Sequence, residues 1–313
     1  MLKLHPNPIA TLMLRYNADI RTLAYMVVTT GVFITLWTLS SFQPLLYVLY
    51  LFLSVAVTVI AHNHNHLPIF RKKLPNIFTD YWLTVFYGFP AFAWIPTHNM
   101  NHHALNNKEG DYTITYRLTE NNHLLMLLLY PSVSSFHQQK PIREYLGNLR
   151  KNDNTKYILA VGQYVALVLW IVGGLILDWQ KALIYIIIPQ QFGLFSVLIF
   201  NYVQHVHADE ESKWNHSRNF TGFLNVMLFN NGYHTVHHER AGTHWSKTPE
   251  LHAAVADKID PSLNERSFWW YIFRAYFLGM VSRRFKTKSK RLERMARKTT
   301  TSAPASESVQ QPQ

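Results

Sequence analysis

Three histidines at i, i+3 and i+4 close the stretch Asn230-Asn231-Gly232-Tyr233-His234-Thr235-Val236-His237-His238. On a helix those spacings share a face, so the three imidazoles converge. Neutral imidazole is a ligand for zinc, copper, nickel and iron. Two further groups use the same grammar: His62-xxx-His66 and His98-xxx-His102-His103. The chain has 17 histidines and no cysteine. Iron–sulfur clusters, thiolate-bound haem, cysteine-type zinc sites and disulfides are therefore excluded, and histidine is left as the plentiful metal-binding side chain.

The spacing within each group selects candidate ligands. His62 and His66 share a helical face; His64 lies between them and points the opposite way, which leaves it at most a supporting role. His98 and His102 repeat the i, i+4 pair. His103 adjoins His102, so those two rings diverge by about 100°. His237 and His238 repeat that adjacency. Two such doublets on separate segments suggest a site for two metal ions. Another pair, Asn201 and His205, is also i, i+4. His205 is a ninth candidate ligand, Asn201 suits a metal-bound water, and His207 suits a supporting hydrogen bond. Asp209, Glu210 and Glu211 follow directly; they either orient ligand imidazoles or form surface pairs. Histidines 123, 137, 216, 244 and 252 lack such spacing and read as solvated or hydrogen-bonded, with His216 and Arg218 open to an acidic headgroup.

These groups must be held by helices in a membrane. Mean hydropathy is only −0.06, but it averages unlike parts. Residues 22–40, 44–61, 157–177 and 182–203 carry no charge, and runs of about 18 to 22 residues cross a hydrocarbon core as helices. Soluble helices of that length would keep a polar face. No leader with a small-residue cleavage site is evident. With the N-terminus in the cytoplasm, Lys181 is the single one of the 30 Lys and Arg facing outward, as the positive-inside rule requires. The net charge of +12 thus reflects topology and attraction to anionic lipid rather than nucleic-acid binding, for which no motif is present.

The expected fold is all-α and multi-pass: four transmembrane helices in two hairpins, with a cytoplasmic helical cap carrying the histidine groups. Within residues 67–156, the apolar stretches 81–95 and 124–130 are too short to span and read as interfacial or re-entrant. Pro189-Gln190-Gln191 interrupts the last span; the glutamines either line a tunnel or bond to neighbouring helices. Residues 1–290 form the main domain. The basic run 283–298 reads as a lipid-binding patch within or beside a tail, 291–313, that is disordered from about residue 299.

The three histidine groups, with Asn201 and His205, resemble the membrane fatty-acid desaturase and hydroxylase superfamily, over about residues 20 to 280. The resemblance implies a non-haem di-iron centre under a cap of cytoplasmic helices, with nine iron ligands: His62, His66, His98, His102, His103, His205, His234, His237 and His238. It implies O2 as cosubstrate, a fatty acid or acyl chain as substrate, and electrons from a separate reductase, ferredoxin or cytochrome-type donor. A bacterial inner membrane, with the site facing the cytoplasm, is the expected location. The stretches 95–103 and 201–211 look most like the bacterial undecene-forming fatty-acid decarboxylases, which turn a free medium-chain acid into a terminal alkene and CO2. A fatty acyl desaturase, and a hydroxylase of alkanes, fatty acids or carotenoids, are the alternatives. A histidine-rich transporter would place its ligands near the bilayer midplane; here they sit at the ends of the apolar runs.

Overall fold

Among the described residues, four helices have the length and hydropathy to cross a bilayer: Asn17–Thr38, Pro44–His66, Asn154–Leu177 and Trp179–His205. The computed structural model describes residues 13–302; His5 and residues 303–313 of the expected tail lie outside them. The spans are built on α1 (Ile20–Thr38), α2 (Pro44–His66), α5 (Asn154–Leu177) and α6 (Ile188–His205). Proline at the start of α2 costs no hydrogen bond, because the first N–H groups of a helix have no partner within it. Asp178 closes the second hairpin: it ends α5, and its carboxylate accepts from the N–H groups of Gln180 and Lys181 to start the next helix. The Lys181 ammonium donates to the carbonyls of Trp37 and Leu39, tying the two hairpins at the end away from the histidines. Gly193 lets α6 approach α2 closely, since a Cβ there would lie 3.0 Å from the Ser54 carbonyl oxygen.

Between the hairpins, α3 (Lys73–Tyr87) does not span but dips beside the bundle. Its Trp82 indole donates to Thr30 Oγ1 midway along α1, and Phe86 packs against Phe33 and Trp170 of two spans. The chain reverses at Gly88, whose φ of 81° belongs to the left-handed region; a Cβ there would fall 2.4 Å from Gln190 Cβ. Gln190 donates from the last span to the Val85 carbonyl. The polar interruption of that span therefore serves both expected roles: Gln190 satisfies the re-entrant turn, and Gln191 faces a cavity.

The helix α4 (Leu124–Asn152) is far longer than the apolar stretch 124–130, because it continues through Pro131 and Pro141. It packs against α5 and α6. A two-residue parallel pairing of Asn219–Phe220 with Asn264–Glu265 braces the last histidine segment. The C-terminal helix α8 (Lys290–Ser302) includes residues 299–302, where the tail was expected to be disordered. Its Arg291 pairs with Glu120 and Glu210, and its Arg294 with Asp209 and Glu210. Glu211 pairs with Lys108. The acidic run after His205 thus holds cations and orients no ligand imidazole.

Candidate metal centre

All the spans alternate in direction, so the C-terminal ends of α2 and α6 emerge together. There the nine histidines gather into two groups: His62, His66, His98, His103 and His237 in one, His102, His205, His234 and His238 in the other. Within each group the ligand-type atoms lie within 4.8 Å of one another. His62 and His66 come from the last two turns of α2, and His205 is the last residue of α6. His234 and His238 share one face of the short helix α7 (His234–Glu239), while His237 turns to the other group.

The middle segment departs from the sequence reading. On an α-helix His98 and His102 would share a face; the structure pairs His98 with His103 instead, Nε2 to Nε2 at 3.1 Å. Ile95–His102 is wound as a π-helix. Its i→i+5 bonding, ending in the His103 N–H to His98 carbonyl bond, brings residues five apart into line. His102 is thereby released to the second group.

The nitrogen geometry tests whether a metal fits. Around the first group, Nε2 atoms form a closed ring: His62 to His98 is 2.9 Å, His98 to His103 3.1 Å, His103 to His237 3.0 Å and His237 to His62 3.0 Å. A neutral imidazole has one N–H, so protons alone cannot satisfy nitrogens that each face two others. A square of that edge has its centre about 2.1 Å from each corner, the usual metal–imidazole distance. In the second group His205 Nε2 faces His102 at 3.1 Å and His234 at 2.8 Å, and His238 faces His234 at 3.1 Å. The residues present fit two metal ions.

Electrostatics point the same way. Burial, reinforced by neighbouring imidazoles, holds His98, His234, His237 and His238 far below the ordinary histidine range. The same causes push His103 down to about 2. Neutral rings are what a metal requires. Asp111, which sequence reasoning missed, accepts from His102 Nδ1 at 2.8 Å in a fully buried pair. With that proton committed, His102 presents a bare Nε2 to its group. Burial alone would raise the Asp111 carboxyl; His102 and the Thr113 hydrogen bonds outweigh it and hold the group below the usual carboxylate range. Only its place nine residues after His102 could have flagged it. Asp111→Asn is expected to weaken metal retention and turnover about 10- to 100-fold without unfolding the protein; metal analysis and initial rates check this.

The supporting residues expected from sequence sit elsewhere. His64 accepts from the Ile69 N–H and lies 3.4 Å from Asp80, away from both groups. His207 bonds Thr287 and the Glu120 carbonyl. Asn201 donates to Tyr130 Oη, whose hydroxyl donates to the Thr113 carbonyl, and lines the adjoining cavity. His216 and Arg218, expected near headgroups, are buried. His216 packs 5.6 Å from the His238 ring. Arg218 donates to the carbonyls of Val203 and Val206 at the end of α6.

A cavity of about 570 Å³ opens from the histidines and is lined by His62, His98 and His234 from both groups. Residues 35–270 match the family model described as Fatty acid desaturase. The chain belongs to the fatty acid desaturase family. This family member is similar to the sphingolipid delta(4)-desaturase of Candida albicans, at 36% identity over 58 residues, covering 17% of this chain and 16% of that protein. The chain thus matches about a sixth of that relative's length. No solved structure matches. The family and the four apolar helices make the chain an integral membrane protein, and its histidine groups fit metal binding.

Proposed function

We propose that this desaturase-family protein is an O2-dependent non-haem di-iron oxidase that acts at the carboxyl end of a free medium-chain fatty acid, releasing CO2 and a terminal alkene. The first iron is assigned to His62, His66, His98, His103 and His237, and the second to His102, His205, His234 and His238, with Asn201 contacting the metal through water. When bound, the pair supplies abstraction of hydrogen from an unactivated C–H, using dioxygen and two electrons from a separate reductase, ferredoxin or cytochrome-type donor. For lauric acid, C12H24O2, O2, two electrons and two protons become undecene, CO2 and two waters.

The observation that carries the reading is where the cavity starts and what lines it. From the histidines it runs along α6 from Gln204 to Gln191, thirteen residues or about 20 Å, and along α4 from Pro131 to Ile142. An acyl chain lying in it has one of its ends, rather than its middle, at the metals. No Lys, Arg, Asp or Glu lines it, so a carboxylate would find no counter-ion except the metal ions. Amides line it at both ends, Asn201, Gln204 and Asn231 beside the histidines and Gln138, Gln139 and Gln191 far from them, so the metal ions rather than the amides favour the carboxyl group at the histidine end. Trp94, Leu194 and Leu198 enclose the chain and exclude water. The histidine end of the bundle carries the basic segments, which supports a cytoplasmic site in a bacterial inner membrane.

Product analysis tests this. Purified, iron-loaded protein given lauric acid, oxygen and a reductant is expected to release undecene and CO2. A dodecenoic acid would mark a same-length desaturase and a hydroxydodecanoic acid a hydroxylase, and either would overturn the decarboxylase reading.

A further inference from the structure

We propose that substrate enters this cavity sideways from the bilayer, through a slot between α4 and α6, as a single-chain free acid dissolved in the membrane rather than a water-borne acyl thioester. The proposal rests on the free-acid reading above and adds the route by which that acid reaches the histidines.

Both lips of the slot face lipid. On α6, Gln191 and Phe195 are one turn apart, line the cavity and are exposed. They lie within a membrane span, beside the exposed Ile188 and Phe192. On α4, Leu125, Leu128, Leu129 and Phe136 are 59%, 50%, 41% and 76% exposed. Their spacing puts them on one stripe, with Ser132 within it; Ser132 is exposed and lines the cavity. A helix face carrying four bare large apolar side chains belongs in acyl chains, not water. At the other end, the lining residues His98 and His234 are buried.

The lining chemistry selects the occupant. A nucleotide or carrier-protein thioester carries a large, charged head. That head would have to pass an uncharged slot bounded by lipid, or remain there without a cation to meet it. A free acid has no such head; partitioned into the bilayer, it presents its chain directly to the slot.

The absence of cysteine in the native sequence makes site-directed labelling clean. Phe195→Cys and Ser132→Cys are each modified through a disulfide-linked nitroxide and placed in proteoliposomes. Spin relaxation at both positions is expected to respond more strongly to oxygen, which concentrates in lipid, than to a water-soluble nickel chelate. Labelling is expected to lower turnover of lauric acid at least tenfold relative to the same variant unlabelled, with recovery on reduction. The native protein is expected to turn over the free acid and not its coenzyme A thioester. Stronger relaxation by the nickel chelate, undiminished turnover with both lips labelled, or preference for the thioester would overturn the proposal. The relaxation measurement needs no turnover, so it judges the slot independently. Absence of any product from the iron-loaded native protein would overturn the oxidase reading instead.

Discussion

His205→Ala is expected to empty the second histidine group and to lower turnover more than about a hundredfold, the upper end of what loss of a mere supporting partner costs a metal site. His205 is fully buried at the last residue of α6. Its Nε2 faces both His102 and His234, so removing it breaks the chain of nitrogens at its middle. Neighbouring histidines cannot fill in, because His102 is held by Asp111 and His234 begins the short helix α7. The spans themselves do not depend on this ring, so membrane insertion and helical circular dichroism should be unchanged. Metal analysis beside circular dichroism separates the two effects; retained metal and turnover in the folded variant would contradict the assignment.

The second large effect is expected at Arg218. Its guanidinium is 2% exposed and donates to the carbonyls of Val203 and Val206. Its own N–H donates to the Gln204 carbonyl at 2.6 Å, and its guanidinium carbon lies 4.7 Å from the Tyr271 ring centre. These carbonyls belong to the C-terminal turn that carries His205, where helices leave acceptors unpaired and favour a cation. Arg218→Met keeps the apolar stem but strands two buried acceptors, at about 1–3 kcal/mol each. Relief of the buried charge offsets part of this, leaving a net loss of about 2–4 kcal/mol. Thermal unfolding in detergent should show a lower midpoint, with metal lost alongside. Arg218→Lys restores charge without the two-pronged fork and should recover only part. An unchanged midpoint in Arg218→Met would show that the carbonyls find other partners.

The legible part of this chain was the part governed by local pattern. Four uncharged runs announced the spans, because lipid tolerates little else along a whole helix. The pairs His62 with His66 and His234 with His238 lie on ordinary α-turns, so their spacing predicted their shared faces. The middle segment was misread because a π-helix obeys a different period, and nothing in Ile95–His102 advertises it apart from Pro96. Long-range partners were also hidden. Asp111 meets His102 only after the loop between them folds back. Asp209 and Glu210 find Arg291 and Arg294 from more than eighty residues away. Arg218 looked like a surface cation because its partners are backbone carbonyls, which every sequence has.

Metal content of the purified native protein, read with that of His98→Ala, which breaks the ring of four nitrogens in the first group, and of His238→Ala, tests the central claim most directly. Each variant removes one ring from one group and leaves the other group whole. The account predicts two irons per native chain, and about one in each variant. Iron absent from the native protein under iron-replete growth, or the same two irons in both variants, would contradict it.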